Sequence, residues 1–514
     1  MKYENLLDET GGFGRFQICI VILINLPGII TPWHFLLNNF IAAIPSHRCN
    51  FLAKENDSIF GNLTEDQKTV LHIPVELSGS VSSCKMFSEP QFALLNNISS
   101  EAENASSAIT DCQYGWTYDT SKFSSTIATE WDLVCDKKGL NQATATFFFI
   151  GVMLGAVAFG YLSDKFGRKT MLLVSYILSF IFGLASAFSV SYVMFAILRF
   201  LTGMSFVGIS IISIVLCIEW VDIKHRTLVG VFGSMAWTTG CVLLALIAYL
   251  IRDWRWLLLA VTFPLLIACV IWCWIPESGR WYLVNGKVNE AHKCLTKCTQ
   301  VNKGKNFRFV KLEEKSKNYT YWDLVRTPKL RRISACTGIV WFGVAFTYYG
   351  LSLNISGLGV SIYMTQFIYG AIEVPSKCFV YLILDKIGRR RCQAWTLIFT
   401  AACIAINMFI PTGKNFSTIL GKFFSEASFS IVYLYTTELF PTVIRQNGMG
   451  FTSFMARLGV AVAPLVILLE DVWRLLPPII FSSIAVLSAL VAFLLPETQN
   501  IRLPETIEDV EQTR

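Results

Sequence analysis

Six ionisable side chains lie inside long apolar stretches of this sequence, and they carry its most evident chemistry. They are Glu219, Glu373, Lys377, Glu426, Glu438 and Arg457. Charged groups are costly inside a lipid bilayer and usually mark the route of a solute or an ion. Lys377 and Arg457 are predicted to lie deepest, and both types of cation suit carboxylate or phosphate groups. This pair therefore predicts a site for anions.

Each of the two cations also has a structural interpretation. Glu373 precedes Lys377 by four residues, so the two side chains would share one helix face and could form an ion pair. For Arg457 the candidate partner is Glu426, on another predicted helix. We therefore predict substrate contact by Arg457 and leave both roles open for Lys377.

A charged turn occurs twice, about 220 residues apart, each time between two apolar runs. The first copy reads Asp164-Lys-Phe-Gly-Arg168 and the second Asp385-Lys-Ile-Gly-Arg389. A glutamate followed seven residues later by an arginine repeats at nearly the same offset. Together these repeats predict an inner gate formed by Asp164, Arg168, Glu219, Arg226, Asp385, Arg389, Glu438 and Arg445.

Two further echoes keep nearly that offset. Arg199-Phe-Leu-Thr-Gly203 corresponds to Gly421-Lys422-Phe423, and Pro276-Glu277-Ser278 corresponds to Pro496-Glu497-Thr498. Several repeats in register are hard to obtain by chance and indicate an internal duplication. The duplication predicts two six-helix repeats with a solute site near the bilayer midplane between them.

Aromatic and polar residues accompany the predicted cations. The aromatic candidates for a pocket are Trp237, Tyr348, Tyr349, Phe429 and Tyr433. Aromatic side chains line pockets for bulky organic solutes, but a single one is more often a core residue, so the prediction depends on their grouping. His34 and Asn39 end the first apolar run, where they either face a water-filled path or form hydrogen bonds at the helix end.

The elements that must position these residues are membrane helices. Of the 514 residues 54% are hydrophobic and only 15% charged, against about 25% charged in ordinary soluble domains. The apolar runs are close to the roughly 20 residues that cross a hydrocarbon core. The sequence predicts an all-α polytopic membrane protein with about twelve spans that start near residues 16, 141, 170, 192, 228, 255, 333, 360, 393, 416, 447 and 475.

The formal net charge of +7 reflects loop composition rather than a surface for nucleic acid. Lys and Arg concentrate in alternate loops, which the positive-inside rule places in the cytoplasm together with both termini. The predicted segments are 1–41 (N-terminus and helix 1), 42–138 (extracellular glycosylated domain), 139–275 (helices 2 to 6), 276–332 (cytoplasmic linker), 333–495 (helices 7 to 12) and 496–514 (cytoplasmic tail).

Cysteines and glycosylation sequons support the extracellular assignment of residues 42–138. Its cysteines, which permit two disulfides in three alternative pairings, are Cys49, Cys84, Cys112 and Cys135. Its sequons are at Asn56, Asn62, Asn97 and Asn104. The linker cluster His292, Cys294 and Cys298 has a spacing that could bind a metal, but no second ligand pair follows, so we predict no metal site.

The sequence lacks the motifs of ATP-driven pumps and of hydrolases. It contains no Gly-x-x-x-x-Gly-Lys-Ser/Thr loop to cradle phosphates. It contains neither a Gly-x-Ser-x-Gly elbow nor a His-Glu-x-x-His helix. We therefore expect no enzyme and no cofactor. A receptor or adhesion protein is the alternative that the glycosylated domain supports, whereas the duplication and the buried charges favour transport.

Longer motifs resemble a known family over essentially the whole chain. The turn Asp164-Lys-Phe-Gly-Arg-Lys169 resembles the loop signature of the major facilitator superfamily. Four further segments resemble motifs of the organic ion transporter family within that superfamily. They are Gly11-Gly-Phe-Gly-Arg-Phe-Gln17, Ser124-Ser-Thr-Ile-Ala-Thr-Glu-Trp-Asp-Leu-Val-Cys135, Pro276-Glu-Ser-Gly-Arg-Trp281 and Glu438-Leu-Phe-Pro-Thr-Val-Ile-Arg-Gln446. The type-two organic anion transporters are resembled most by Asp253-Trp-Arg-Trp-Leu-Leu-Leu-Ala260, Tyr348-Tyr-Gly-Leu-Ser-Leu353 and Phe424-Ser-Glu-Ala-Ser-Phe429.

The resemblance implies an alternating-access secondary transporter of the plasma membrane. Its expected substrates are small organic anions and related amphipathic solutes, such as aromatic carboxylates, nucleobases and nucleotides. It is expected to act as a monomeric glycoprotein, with the basolateral membrane of epithelia as one candidate location. A transporter of organic cations or zwitterions is the alternative within the class.

The resemblance also implies roles for individual residues. Lys377 and Arg457 fall where anion-type members carry basic residues, and the pocket aromatics match Tyr348, Tyr349 and Phe429. His34 and Asn39 match polar first-helix positions. Trp237 and Cys241 depart from the tyrosine and glutamine of the better-known anion exchangers, so facilitated or loosely coupled transport is expected, with a counter-anion left open.

Overall fold

The computed structural model describes residues 7, 10–51, 63–76, 80–92, 108–222, 225–302, 321–353, 360–409, 414–441, 444–499, 504 and 507–512. The chain forms two compact units. The larger unit comprises residues 1–40, 142–251 and 255–514, and the smaller unit comprises 41–141 and 252–254. Helices make up the described part of the larger unit, whereas the smaller unit also contains short strands.

In the part of the chain that the structure describes, twelve long helical segments follow one another, and we number them membrane helices 1 to 12. The first six are Arg15–Gly28 with Thr31–Leu36 and Asn38–Ile41, Lys138–Phe166, Arg168–Ala187, Tyr192–Glu219, Arg226–Leu250, and Trp254–Thr262 with Pro264–Trp272. The last six are Pro328–Leu353, Ile362–Ala371 with Glu373–Ile387, Arg389–Phe409, Lys414–Leu439, Arg445–Ile467 and Leu476–Phe493.

These helices confirm the prediction of about twelve spans. Every predicted start lies within five residues of an observed one. Ten of the segments are long and apolar enough to cross a membrane by length and composition. The other two, membrane helices 9 and 10, are richer in polar residues, and membrane helix 10 carries the buried charges Lys422 and Glu426.

Membrane helix 1 is interrupted where its sequence carries two prolines and a glycine. Proline has no amide hydrogen for the helical ladder, and its ring collides with the preceding turn. The first piece therefore ends at Gly28, directly after Pro27, and the second begins at Thr31 with Pro32 in its first turn. The break separates the half of the helix that carries His34 and Asn39 from its beginning.

Two close helix crossings fix the helices that carry buried arginines. A Cβ atom built on Gly203 of membrane helix 4 would lie 2.2 Å from the carbonyl oxygen of Phe148 in membrane helix 2. A Cβ atom on Gly459 of membrane helix 11 would lie 2.5 Å from the carbonyl oxygen of Phe342 in membrane helix 7. Only glycine permits such backbone contact. The crossings set the height and rotation of Arg199 and Arg457, which lie on the same two helices.

The two copies of the charged turn have the same backbone geometry. Gly167 and Gly388 adopt φ values of 105° and 95°, a region that other residues rarely occupy. Glu277 accepts hydrogen bonds from the backbone amides of the two residues after Gly167, at 3.0 and 3.1 Å. Glu497 does the same for the two residues after Gly388, at 2.8 and 3.4 Å. Each carboxylate thus caps the start of a membrane helix, where exposed amides favour negative charge.

The smaller unit contains two short antiparallel strand pairs and two disulfides. Strands β1 (His47–Cys49) and β4 (Trp116–Tyr118) pair antiparallel, as do β2 (Lys85–Phe87) and β3 (Ile109–Asp111). Its helices are Glu65–His72, Ile127–Glu130 and the 3-10 turn Cys135–Lys137.

The disulfides of the smaller unit resolve the choice among three pairings. Cys49 is bonded to Cys112, and Cys84 is bonded to Cys135. The bonds therefore interleave along the chain. The four sequons, at Asn56, Asn62, Asn97 and Asn104, lie outside the described residues.

Shorter helices follow membrane helices 6, 11 and 12. They are Gly279–Val284, Val288–Asn302, Asp323–Arg326, the 3-10 turn Leu468–Asp471 and Ile507–Gln512. The last one packs against the start of membrane helix 7, where Glu511 accepts hydrogen bonds from the backbone amides of Lys329 and Leu330 at 3.0 and 3.2 Å.

Candidate functional site

Four charged side chains meet between membrane helices 8 and 10, and we call them the charged quartet. Glu373 and Lys377 come from membrane helix 8, and Lys422 and Glu426 from membrane helix 10. The exposed fraction of each side chain is 11% or less, and that of Glu373 and Lys422 is 2%. Buried charges persist in proteins when they are paired, so the internal distances of the quartet decide its role.

The quartet neutralises itself. The Nζ atom of Lys377 lies 3.6 Å from Glu373 Oε2 and 3.5 Å from Glu426 Oε1. The Nζ atom of Lys422 lies 3.7 Å from Glu373 Oε1. Two lysines and two glutamates give a formal charge of zero, so the quartet as a whole presents no excess charge to an ion.

Membrane helix 7 completes the coordination of the quartet with neutral groups. The hydroxyl of Tyr348 donates a hydrogen bond to Glu373 Oε1 at 2.8 Å. Lys422 donates to the hydroxyl of Ser352 at 2.8 Å, and its Nζ atom lies 3.4 Å from the centre of the Tyr348 ring. Asn39 of membrane helix 1 donates to the backbone oxygen of Ser352 at 2.9 Å. Hence Tyr348 and Asn39 belong to the surroundings of the quartet.

Membrane helix 5, from the first repeat, also contacts the quartet. Thr238 donates a hydrogen bond to Glu373 Oε2 at 2.9 Å. Lys377 donates to the hydroxyl of Thr238 at 2.6 Å and to the backbone oxygen of Ser234 at 3.0 Å. These bonds cross from one repeat to the other, so the quartet connects the two halves of the larger unit.

Arg457 of membrane helix 11 stands apart from the quartet. Among the residues that the structure describes, it forms no ion pair, and its Nε atom is buried without a hydrogen-bond partner. Its guanidinium carbon lies 5.5 Å from the centre of the Phe35 ring. The sequence-based alternative, in which Glu426 neutralises Arg457, is wrong because Glu426 pairs with Lys377 instead.

Arg457 borders a cavity with aromatic walls. The cavity has a volume of about 20 Å³ and is lined by Trp341, Ala345, Tyr349, Phe429, Tyr433, Ser453, Ala456, Arg457 and Val460. The ring of Trp341 lies 4.5 Å from that of Tyr433 and 5.9 Å from that of Phe429, both edge-on. A second cavity of about 10 Å³ lies beside Glu373 and Lys422.

Both cavities are too small for an organic solute. Pockets for small molecules have volumes of roughly 300 to 1,000 Å³, whereas about 20 Å³ is close to the space that one water molecule needs. The helices are therefore closed around Arg457 in this conformation. A solute can reach the guanidinium only after the helices that carry the aromatic walls have moved.

Of the nine predicted site residues, seven fall into two groups and two lie outside both groups. Tyr349, Phe429, Tyr433 and Arg457 line the aromatic cavity. Lys377 is in the quartet, and Tyr348 and Asn39 touch it. Trp237 packs on Phe35, with ring centres 5.7 Å apart. His34 is completely buried in the first repeat and lines neither cavity.

Sequence reasoning missed the importance of Lys422 and Thr238. Lys422 was noted only as an echo of Arg199, although a lysine inside a predicted span is itself a signal. Thr238 carries no charge, and its place between Glu373 and Lys377 depends on packing between repeats. That contact has no signature in a single sequence.

The predicted gate residues meet within each repeat. Arg168 lies 2.7 Å from Asp164 and 3.2 Å from Glu219. In the second repeat Arg389 lies 3.2 Å from Glu438, while Arg445 donates to the backbone oxygen of Phe440 at 3.2 Å. The side chains of Arg226 and Asp385 lie outside the described part of the chain.

Comparison with known proteins gives consistent matches. A family model for sugar (and other) transporters matches residues 80–509. Solute carrier family 22 member 7 of Homo sapiens is 49% identical over 536 residues, with 100% of this chain and 96% of the relative covered. Solute carrier family 22 member 6-B of Xenopus laevis is 40% identical over 530 residues, with 99% and 95% covered.

Solved structures of low sequence identity share the fold. The xylose transporter XylE of E. coli, in an inward open conformation, has a TM-score of 0.59 at 16% identity and covers 96% of this chain and 99% of its own. A D-xylose-proton symporter has a TM-score of 0.59 at 17% identity, with 94% and 98% covered.

Proposed function

The chain belongs to the sugar (and other) transporter family and, within it, to solute carrier family 22, and we propose that Arg457 recognises the organic anions it carries. The membership confirms the predicted family and the major facilitator fold with its alternating access. It also makes the chain a secondary transporter and not an enzyme. For the roles of individual side chains, the contacts of the quartet and of Arg457 supply the support.

The observation that carries the proposal is the unpaired charge of Arg457. A cation in a region of low dielectric constant is costly, and an anionic solute that supplies the missing charge is bound with a corresponding gain. The planar guanidinium can hold a carboxylate or phosphate through two parallel hydrogen bonds. Since Nε has no hydrogen-bond partner among the described residues, one of those donors is available.

The aromatic walls favour solutes with planar rings. Trp341, Phe429 and Tyr433 offer ring edges and faces within the same cavity as Arg457. Aromatic pairs with offset or edge-on geometry are favourable beyond the area that they bury. We therefore assign aromatic carboxylates and nucleotides as substrates held by both features, and nucleobases as substrates held by the walls alone.

The charged quartet is assigned to the connection between repeats rather than to the solute. Lys377 has two carboxylates and two groups of membrane helix 5 as partners. A cation with that many partners gains less from an added anion than Arg457 does. Opening of the path on one side requires the bonds to Ser234 and Thr238 to break, so the quartet contributes to the barrier between conformations.

The pairs around Arg168 and Arg389 are assigned to the inner gate. Each ties the start of one membrane helix to the end of another: Arg168 to Glu219 and Arg389 to Glu438. Asp164, Arg226, Asp385 and Arg445 are the remaining members of the predicted set. In this proposal both termini and the gate face the cytoplasm, and the smaller unit is a glycosylated extracellular domain at the plasma membrane.

A transporter of organic cations is the alternative function. It would need a carboxylate free to pair with the solute, and Glu373 and Glu426 are both neutralised within the quartet. Uptake of a panel of labelled anions, cations and neutral analogues into proteoliposomes separates these cases. Preferred uptake of aromatic anions supports the proposal, whereas preferred uptake of cations contradicts it. No uptake by correctly folded protein would favour a receptor.

The same panel decides the coupling. We propose facilitated transport, because Trp237 and Cys241 stand where the resemblance implies a tyrosine hydroxyl and a glutamine amide in the better-known exchangers. We also propose that the transporter acts as a monomer. Uptake rates that are equal with empty and with anion-loaded liposomes support this assignment. A requirement for internal counter-anion would contradict it and indicate exchange.

A further inference from the structure

Arg199 is a second buried arginine without an acidic partner. It lies in membrane helix 4, and its exposed fraction is 1%. Among the described residues no carboxylate lies close enough to neutralise it. Its Nε and Nη1 atoms have no hydrogen-bond partner, and Nη2 donates only a long bond of 3.4 Å to the backbone oxygen of His34.

His34 of membrane helix 1 is likewise buried with nitrogen atoms that lack hydrogen-bond partners among the described residues. Its ring is completely buried, with the Phe206 ring centre 4.5 Å away. Neither ring nitrogen makes a hydrogen bond of good geometry, although the backbone of Val261 is near enough to interact. Two buried polar side chains with unused nitrogens therefore lie side by side, a rare situation in native proteins.

The enclosure around Arg199 compensates its charge only in part. The guanidinium carbon lies 4.5 Å from the centre of the Phe148 ring, a cation–π contact. Nε and Nη1 remain without a hydrogen-bond partner, because an aromatic ring face accepts an N–H group only weakly. The position needs a negatively charged acceptor that the described residues do not provide.

In the second repeat, a carboxylate neutralises the cation that corresponds to Arg199. Lys422 is the counterpart of Arg199 in the internal duplication, and it too lies over an aromatic ring, that of Tyr348. Glu373 neutralises Lys422 at 3.7 Å. At the equivalent place in the first repeat the described chain has no carboxylate, so the compensating charge must come from outside it.

We propose that Arg199 and His34 form a site for a small monovalent inorganic anion of halide size. Phe148 and Phe206 enclose the two side chains, and neither the aromatic cavity nor the cavity beside Glu373 is lined by Arg199 or His34. The exposed fractions of Arg199 and His34 are 1% and 0%, so an organic solute would have to displace the side chains around them. A halide accepts hydrogen bonds from several directions, and here Nε and Nη1 of Arg199 and a protonated nitrogen of the His34 ring would donate them.

The anion site adjoins the wall of the organic site. Phe35, the residue after His34, has its ring 5.7 Å from that of Phe148 and 5.5 Å from the guanidinium carbon of Arg457. An anion that holds membrane helix 1 against membrane helix 4 also fixes Phe35 beneath Arg457. Occupancy of the small site thereby stabilises the arrangement that an organic anion meets.

The test measures thermal unfolding of the full-length protein in lipid nanodiscs while chloride replaces gluconate at constant ionic strength. Because chloride can also pair with Arg457, the comparison uses Arg457→Ala as its background. We expect chloride to raise the unfolding midpoint of Arg457→Ala, and Arg457→Ala/Arg199→Gln to need more than about tenfold more chloride for the same rise. An equal response of the two proteins, or no response of Arg457→Ala, overturns the proposal.

A second measurement covers the case in which Arg199→Gln does not fold. Bromide replaces chloride during crystallisation of the unsubstituted protein, and the anomalous signal locates the ion. A peak between Arg199 and His34 supports the site, and its absence at saturating bromide contradicts it. Neither measurement depends on organic anion transport, so failure of the anion site and failure of the Arg457 assignment are distinguishable.

Discussion

The charged quartet and Arg457 differ in one respect that decides their roles. Both lie among membrane helices 7, 8, 10 and 11, and both contain cations that a lipid environment disfavours. Lys377 and Lys422 are each within 3.7 Å of a carboxylate of the same chain. Arg457 has an aromatic ring as its neighbour instead. A cation that is paired with a carboxylate of the same chain joins helices, whereas a cation without such a pair can bind an anionic solute.

The largest expected effect comes from unbalancing the quartet with Glu373→Gln. The substitution removes the carboxylate that forms an ion pair with Lys422. It also replaces one of the two oxygens that accept hydrogen bonds from Tyr348 and Thr238 with an amide nitrogen. Breaking a buried pair costs about 3 to 5 kcal/mol. Thermal unfolding of purified protein and the fraction at the cell surface should both fall strongly. Glu470→Gln, at an exposed acid, is the matched control and should change little.

A charge-balanced double variant sharpens that prediction. Lys422→Met combined with Glu373→Gln removes one charge of each sign and leaves Lys377 paired with Glu426. The unfolding midpoint should recover part of the loss seen with Glu373→Gln alone. If the two substitutions instead destabilise additively, the four side chains do not act as a neutral unit. The comparison of a balanced quartet with an unpaired Arg457 would then be wrong for the quartet.

A smaller loss of stability is expected for Glu426→Gln, and double-mutant cycles can show whether Lys377 or Arg457 is the partner of Glu426. Glu426→Gln removes one of the two carboxylates near Lys377, and loss of a charged hydrogen-bond partner costs about 1 to 3 kcal/mol. A double-mutant cycle for stability with Lys377→Met should show a coupling of about 0.5 to 3 kcal/mol, and a cycle with Arg457→Ala should show almost none. Strong coupling of Glu426 to Arg457 and none to Lys377 would contradict the ion pair between Glu426 and Lys377.

The smallest effect concerns the gate pairs, which include none of the residues of the quartet and not Arg457. The side chain of Asp164 is 72% exposed although it lies 2.7 Å from Arg168, and exposed ion pairs contribute about 0 to 1 kcal/mol. Asp164→Asn should lower the turnover rate by less than about tenfold and leave the half-saturating substrate concentration within about threefold. Glu219→Gln, which removes the buried partner of Arg168, should lower turnover more. Weaker substrate affinity with normal turnover would argue against the gate assignment.

Local sequence signals predicted the fold closely. Apolar runs located every membrane helix, since a span must hide its backbone in consecutive apolar residues. The break in membrane helix 1 follows from Pro27 and Pro32, and a glycine precedes Arg168 and Arg389 in the two charged turns. Each of these features depends on a few neighbouring residues, and the internal duplication repeats them.

Side-chain partners between helices were harder to predict. The four-residue spacing indicated the pair of Glu373 with Lys377, because both lie on one helix face. The partner of Glu426 depended on the rotation of membrane helix 10 against membrane helix 8, which spacing does not encode. The disulfide between Cys49 and Cys112 could not be predicted for the same reason, since it depends on how distant loops of the smaller unit come together.

The most direct test of the account is the charge selectivity of Arg457→Ala. Initial uptake of an aromatic carboxylate and of its neutral amide is measured in cells with matched surface abundance, for the unsubstituted protein, Arg457→Ala and Arg457→Lys. Lost pairing of about 2 to 5 kcal/mol should lower carboxylate uptake well over tenfold in Arg457→Ala and spare the amide. Arg457→Lys should recover only part, because charge returns without the planar fork. Equal losses for both solutes would contradict anion recognition by Arg457.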